Sequence, residues 1–123
     1  MVYNFLMLSK KTDTLIEDLI SFGMHQDEAT VYLYLYERGF STALMISREL
    51  KIGRTKVYRI LDNLYEKGAI KHKLEDRGLQ FGLERVSDLS SMIDEKEQVL
   101  KKMKRKLPDI LTCLSSMNRV KNN

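Results

Sequence analysis

Apolar and polar positions between residues 41 and 68 follow the period of two amphipathic helices separated by a short break. In the second helix, Val57, Leu61 and Leu64 lie at i, i+4 and i+7 and therefore share one face. The first turns carry no acid before Asp62, and their outer positions are cationic or hydroxylated, namely Arg54, Thr55, Lys56, Tyr58 and Arg59. An aliphatic underside combined with a cationic outer face is typical of a recognition helix that enters the major groove of DNA.

A first amphipathic helix is predicted over residues 13–22. Thr12 or Asp13 could act as its N-cap, and Gly23 would end it. Its helical periodicity predicts a buried stripe of large apolar side chains, made of Leu15, Ile16, Leu19, Ile20 and Phe22.

A second helix is predicted between His25 and Gly39. His25 stands at the N-cap position, and Glu28 three residues later supplies half of a capping box. Gly39 is the expected C-terminal glycine. The face predicted to be buried consists of Ala29, Tyr32, Leu33 and Tyr36.

The helix pair is followed by a predicted hairpin. The third helix begins near Thr42, and the recognition helix that follows covers residues 54–67 and stops at Gly68. Two alternating runs then lie within residues 69–85, separated by Asp76-Arg77-Gly78, which predicts a hairpin of two strands with a slightly longer turn. This hairpin is called the wing below. Three helices followed by a basic hairpin form a winged helix-turn-helix domain, so the predicted fold is mainly α with a small β-hairpin.

A long C-terminal helix is predicted next, with Ser87 as its cap. Apolar residues recur at alternating steps of three and four, and only Lys96 interrupts the series. Such a seam is typical of a coiled coil. The predicted dimerisation residues are Ile93, Leu100, Met103, Leu107, Ile110, Leu114 and Met117. The expected organisation is an N-terminal extension (1–12), a winged helix-turn-helix domain (13–86) and a helical dimerisation region (87–123).

Two alternatives remain open for this C-terminal helix. Pro108 removes a backbone hydrogen bond, so the helix either kinks there or ends near Lys106 and restarts at Pro108. The apolar seam either pairs with a second copy of the chain, which is the favoured interpretation, or folds back onto its own domain.

Composition and charge narrow the range of functions. The chain has 123 residues, and its 43% hydrophobic and 31% charged residues are ordinary for a folded protein. Seven Lys or Arg residues lie within 51–73 against two acids, whereas residues 13–28 contain five acids and no Lys or Arg. A basic segment centred on the recognition helix favours a nucleic-acid partner, although a solvated basic face is the alternative.

No apolar run approaches ~18 residues, so no membrane span is expected. The single cysteine fits a reducing cytoplasm.

The run Arg54-Thr55-Lys56-Val57-Tyr58 also carries a family resemblance, together with Glu66-Lys67-Gly68 at the end of the same helix. Residues 15–90 resemble the winged-helix DNA-binding domain of TrmB-type transcriptional regulators. Further positions that match the family's pattern are Glu28, Ala29, Val31, Tyr32, Gly39, Thr42, Ile46 and Ile52. The resemblance implies a winged-helix fold, DNA binding and a role in transcription.

The chain departs from that family in several places. His25 stands where the family usually has Thr, and Phe40 and Gly53 stand where it usually has Pro. Leu44 and Met45 occupy positions that are usually polar. Members often add a sugar-binding domain, and this chain is expected to end too soon to hold one. DNA binding is therefore implied without a sugar effector, and the effector ligand stays unassigned.

The predicted DNA-contacting residues lie on three elements. On the recognition helix, some cationic side chains would contact bases and others phosphates. Tyr58 either donates a hydrogen bond to a phosphate or packs against the wing, and Thr42 either supports a phosphate contact or only caps its helix. Arg77 at the hairpin tip, helped by Lys73, would reach the adjacent minor groove or backbone. The full predicted set is Thr42, Arg54, Thr55, Lys56, Tyr58, Arg59, Lys73 and Arg77.

Other chemistry is not indicated by the sequence. His25 and His72 are isolated, and neither lies at a metal-ligand spacing from another candidate, so no metal or cofactor is expected. Cys113 has no neighbouring His that would activate its thiol. The chain is therefore not expected to be an enzyme. A homodimeric, sequence-specific DNA-binding regulator is the leading interpretation, and the alternatives are a protein-interaction adaptor of the transcription machinery or a sequence-blind architectural DNA-binding protein.

Overall fold

The computed structural model describes the backbone of residues 9–122 and the side-chain surroundings of residues 12–118. Residues 1–8 of the predicted N-terminal extension lie outside this part, and the rest of that extension belongs to the first helix. The elements in chain order are α1 (Ser9–Ser21), α2 (Gln26–Arg38), β1 (Ser41–Thr42), α3 (Ala43–Leu50), α4 (Arg54–Glu66), β2 (Lys71–Glu75), β3 (Gly78–Gly82), a 3-10 helix (Val86–Leu89) and α5 (Ser90–Asn122). The predicted fold class, a mainly α winged helix-turn-helix domain with a long C-terminal helix, is confirmed.

The small sheet contains one strand more than the predicted hairpin. Strands β2 and β3 pair in antiparallel fashion around a two-residue turn, because Glu75 lies opposite Gly78. The turn is therefore shorter than expected. The two-residue strand β1 pairs with the other edge of β3, which gives the order β1-β3-β2. This pairing connects the start of α3 directly to the wing.

The hydrophobic core confirms the underside of α4 but corrects two other predicted stripes. Val57, Leu61 and Leu64 are fully buried. On α2, Tyr36 points into solvent and is 61% exposed. Of the stripe predicted for α1 and the residue after it, Leu19 is buried and Ile16 is partly buried, whereas Leu15, Ile20 and Phe22 are exposed. Periodicity predicts which side chains lie on the apolar face of a helix, but neighbouring elements cover only part of that face. The buried stripes predicted from periodicity were therefore too wide.

The helix ends follow the expected capping chemistry. The His25 backbone N–H donates to Glu28 Oε1 at 3.1 Å, which is the reciprocal half of the predicted capping box. Thr42 Oγ1 accepts from the Met45 backbone N–H at 3.2 Å and caps α3. Gly39 closes α2 with a positive φ of 81° and donates its N–H to the Leu35 carbonyl at 2.8 Å.

The described chain divides into two units, the second of which begins at Ile93. Helix α5 starts at Ser90, so the predicted cap at Ser87 is wrong, because Ser87 belongs to the preceding 3-10 helix. The helix continues through Pro108 to Asn122 without ending near Lys106. The predicted division into residues 13–86 and 87–123 stays a prediction.

Candidate nucleic-acid interface

Helix α4 separates buried and exposed residues by face. Its underside is formed by four buried aliphatic side chains, Val57, Ile60, Leu61 and Leu64. Arg54, Thr55, Lys56, Tyr58 and Arg59 are exposed on the remaining surface, as the sequence predicted. The N-cap is Gly53, which has no side chain to satisfy the backbone N–H groups of the first turn. The positive end of the helix dipole and the cationic side chains therefore occur together at the start of α4.

A partly buried polar cluster fixes the other end of α4 against α2. The Glu28 carboxylate is only 2% exposed and accepts from Lys67 Nζ at 2.5 Å and from Asn63 Nδ2 at 3.2 Å. Lys67 Nζ also donates to the Gly23 carbonyl at 3.0 Å. The C-terminal end of the helix is thereby tied to the start of α2 and to the α1–α2 turn. Sequence reasoning assigned Glu28 only to the capping box and missed this second role, which needs a partner far along the chain.

The electrostatics of Glu28 follow from the same contacts. Burial on its own would raise the pKa of this carboxyl group. Four contacts lower the pKa, namely the hydrogen bond from Lys67, the hydrogen bond from the His25 backbone, the charge of Lys67 and the hydrogen bond from Asn63. Together they outweigh the effect of burial, so the pKa of Glu28 is held below its ordinary value. Glu28 is therefore an ionised carboxylate under neutral conditions, paired with Lys67.

The predicted cationic contacts are not equivalent. Lys56 Nζ lies 2.8 Å from Asp27 Oδ2, and both side chains are about half exposed. Within residues 12–118, no ion pair involves Arg54 or Arg59. These two guanidinium groups are therefore the cations of α4 that are free to meet an external anion, whereas Lys56 would have to exchange Asp27 for it.

An aromatic contact joins α4 to the wing. The rings of Tyr65 and His72 stack with centroids 4.3 Å apart, and His72 meets Phe81 edge-on at 6.1 Å. Tyr58 remains 44% exposed, and the α4 ring that stacks on the wing is that of Tyr65. Sequence reasoning did not single out Tyr65, because its partner on β2 can be identified only once the hairpin register is known.

The wing presents a cationic tip. Arg77 occupies the two-residue turn and is exposed, and no ion pair of the described residues involves it. Lys73 lies 4.4 Å from the centre of the Phe40 ring and 3.5 Å from a Glu75 carboxylate oxygen. Lys73 is thus held at the middle of β2 by contacts with Phe40 and Glu75, whereas Arg77 lies in the exposed turn.

Other kinds of site find no support in the described part of the chain. No group of three or more His, Cys, Asp or Glu residues there could hold a metal ion. No helix among residues 9–122 is long and apolar enough to cross a bilayer. The exposed cationic surface of α4 and the wing is the candidate functional site.

The winged fold is shared with solved bacterial proteins. A mutant of MepR from a multidrug-resistant Staphylococcus aureus clinical isolate is 25% identical, with 94% of this chain and 97% of that chain covered and a TM-score of 0.52. A MepR mutant bound to an oligodeoxyribonucleotide is 24% identical over 92% and 96% of the two chains, with a TM-score of 0.54. YusO from Bacillus subtilis is 14% identical over 98% and 92%, with a TM-score of 0.53. Comparison with curated proteins gives no significant match.

Residues 19–79 match the model of a family described as "Sugar-specific transcriptional regulator TrmB". This segment includes α2, α3 and α4 with most of the wing, and it therefore contains the cationic surface described above. Family and fold are those of transcription regulators and not of enzymes. Through its winged helix-turn-helix segment, the chain belongs to the TrmB family of DNA-binding transcriptional regulators.

Proposed function

We propose that this regulator binds specific sequences of double-stranded DNA as a homodimer, with α4 in the major groove and the wing on the adjacent minor groove or backbone. The observation that carries this proposal is the division of α4 into two faces. Val57, Leu61 and Leu64 anchor the helix in the core. Arg54 and Arg59 are exposed, and neither forms an ion pair with any of residues 12–118. A helix of this width and charge fits the major groove.

The proposed contacts divide into base readers and phosphate contacts. An Arg fork can donate two hydrogen bonds to O6 and N7 of guanine, which contributes about 1–3 kcal/mol of discrimination. Arg54 and Arg59 are the candidates for this role. Thr55, Lys56, Tyr58 and Thr42 are the proposed phosphate contacts, which strengthen binding in a salt-dependent way and read no sequence.

The wing would add a second set of contacts. Arg77 at the turn is the proposed minor-groove or backbone contact, and Lys73 supports it from the middle of β2. The stacking of Tyr65 on His72 favours this proposal, because it fixes the hairpin to the helix that reads the major groove. Both elements would then engage DNA in one defined arrangement.

Dimerisation is proposed through α5. Its predicted seam residues are exposed by 44–67%, which is unusual for a contiguous row of large apolar side chains. They are Ile93, Leu100, Met103, Leu107, Ile110, Leu114 and Met117. A second copy would cover most of this row and bring two recognition helices to two half-sites of a palindromic operator, about 34 Å apart.

The test is a binding-site selection with purified protein, followed by fluorescence anisotropy at fixed salt. Arg54→Ala combined with Arg59→Ala should weaken binding to the selected duplex about 30-fold or more, since two base-reading contacts are lost. The matched control is Lys101→Ala with Arg105→Ala, which removes two positive charges from the outer face of α5. Unchanged affinity of the Arg54/Arg59 variant would overturn the proposal.

Two other outcomes distinguish the alternatives. Equal affinity for the selected duplex and a scrambled duplex would indicate a sequence-blind architectural protein. A lack of binding to any duplex even at low salt would indicate an adaptor that contacts other proteins.

A further inference from the structure

Helix α5 carries its charges in successive blocks beside the exposed seam. The seam consists of eight positions, which are Ile93, Lys96, Leu100, Met103, Leu107, Ile110, Leu114 and Met117. Acidic residues (Asp94, Glu95 and Glu97) lie in the first turns, and a run of cations (Lys101, Lys102, Lys104, Arg105 and Lys106) begins four residues after Glu97. A second copy of the same helix could therefore be aligned so that acidic and basic blocks meet.

The flanking positions make this pairing specific. Glu97 and Lys104 lie one heptad apart on the same side of the seam, and Val99 and Lys106 lie one heptad apart on the other side. A groove of about 330 Å³ opens between the seam and this second side, lined by Val99, Lys102, Met103, Lys106, Leu107 and Ile110. The groove is wide enough to receive an aliphatic side chain from a partner helix.

We propose that α5 pairs with α5 of a second copy in antiparallel orientation, in the register that sets Leu100 of each copy beside Met103 of the other. This inference rests on the proposed homodimer and specifies its geometry. Ile93 then meets Ile110 of the second copy, and Glu97 lies beside Lys104 of the second copy. Because a two-fold axis relates the helices, the Glu97–Lys104 pair forms twice.

A parallel pair is disfavoured by Lys96. In parallel coiled coils each seam residue meets its own counterpart, so the two Lys96 side chains would face each other inside the seam. The flanking contacts in that arrangement join Lys104 to Val99 and Lys106 to Leu111, and neither is an ion pair. In the proposed register, Lys96 lies beside Leu107 and can direct its ammonium group to solvent.

The neighbouring antiparallel register is disfavoured by the cationic run. Shifting the helices by one heptad would cover Leu114 and Met117, but it would centre the pair on Arg105. Lys104 would then face Lys104, and Lys106 would face Lys106, so that the run of cations in each helix lies against itself. The proposed register instead sets Lys104 of each copy beside Glu97 of the other and Lys106 beside Val99, so that no flanking position faces a like charge.

Disulfide cross-linking in a Cys113→Ser background distinguishes these arrangements. The double variant Ile93→Cys/Ile110→Cys should form covalent dimers on oxidation, whereas each single variant should not. Disulfides require Cα atoms within about 7 Å, and a shift of one heptad moves the helices by about 10 Å. Cross-linking by Ile110→Cys alone would indicate the parallel pair, and cross-linking by Ile93→Cys/Met117→Cys would indicate the shifted register. Either result overturns the proposed geometry and leaves the homodimer intact.

Charge exchange provides an independent measurement by sedimentation equilibrium. Glu97→Lys should raise the dimer dissociation constant about tenfold, since two exposed ion pairs become repulsive. The exchanged variant Glu97→Lys/Lys104→Glu should return to the wild-type value. Glu95→Lys, on the outer face, is the matched control and should change little. An unaffected Glu97→Lys dimer would overturn the register, whereas a wild-type chain that stays monomeric at all concentrations would overturn the homodimer itself.

Discussion

At the residue scale, Glu28 shows how one side chain can orient a recognition helix. Its backbone-capping contact is local and was predictable from the His25–Glu28 spacing. Its contacts with Lys67 and Asn63 join residues that are far apart in the sequence, and no local sequence pattern predicts them. A buried carboxylate without these donors would be costly, so the ionised state and the placement of α4 depend on each other.

Glu28→Gln should therefore destabilise the protein in a pH-dependent way. At pH 7 we expect a loss of about 1–3 kcal/mol in the free energy of unfolding, because a charge-assisted hydrogen bond to Lys67 is removed. The pKa of Glu28 is lowered on folding, so this contribution is complete above the ordinary value of 4.5 and disappears as the pH falls through the lowered pKa. Urea titrations of both proteins between pH 7 and pH 3 measure it.

The control for this experiment is Glu66→Gln, an exposed acid at the end of the same helix. It should leave the stability curve nearly unchanged at each pH. If the wild-type and Glu28→Gln curves stay parallel down to pH 3, the stabilising role assigned to the ionised carboxylate is wrong.

At the element scale, local periodicity was sufficient for α4 and insufficient for the sheet. Three of its positions, Val57, Leu61 and Leu64, were placed correctly because a helix buries residues at a fixed spacing. Strand β1 was not predicted, since two residues are too few to show a period and their partners Phe81 and Gln80 lie about 40 residues later in the chain. Tyr36 was wrongly predicted to be buried, because periodicity identifies the apolar face of a helix but not which part of it neighbouring elements cover.

The contact between the β1 side of the sheet and the wing can be tested at Gly82. A Cβ atom added there would lie 2.7 Å from two ring carbons of Phe40 and 3.0 Å from its Cα. Because a backbone atom is involved, the ring cannot relieve the clash by rotating alone. Gly82→Ala should destabilise the protein by about 1–3 kcal/mol, a typical cost of overpacking, as measured by chemical denaturation.

A double-mutant cycle separates this clash from a general effect of Ala in the strand. In a Phe40→Ala background the added methyl group should cost clearly less, because the ring atoms are gone. Equal costs of Gly82→Ala in the two backgrounds would show that the Phe40 ring is not what restricts this position.

At the scale of the whole molecule, the winged domain buries its own apolar side chains, whereas the apolar seam of α5 is exposed. The winged domain buries its own core, as shown by fully buried residues such as Ile46 and Leu61. Along α5, from Ile93 onward, every side chain whose surroundings are described is exposed. The sequence predicted both features, since each follows from a local repeat. It could not predict the ion pairs Lys56–Asp27 and Lys67–Glu28, which depend on how the helices pack.

Introducing charge into the seam should therefore weaken DNA binding without unfolding the winged domain. Leu100→Glu combined with Leu107→Glu places two carboxylates where an apolar row would be covered, and we expect a monomer by analytical ultracentrifugation with the thermal unfolding of the winged domain retained. A monomer binds one half-site only, so its affinity for the selected operator should fall about 10²-fold or more. The matched control, Thr112→Glu with Ser115→Glu, adds the same charge on the outer face and should remain dimeric. Retained dimerisation of the Leu100/Leu107 variant would show that α5 is not the interface, and the two recognition helices would then have to be joined through another surface.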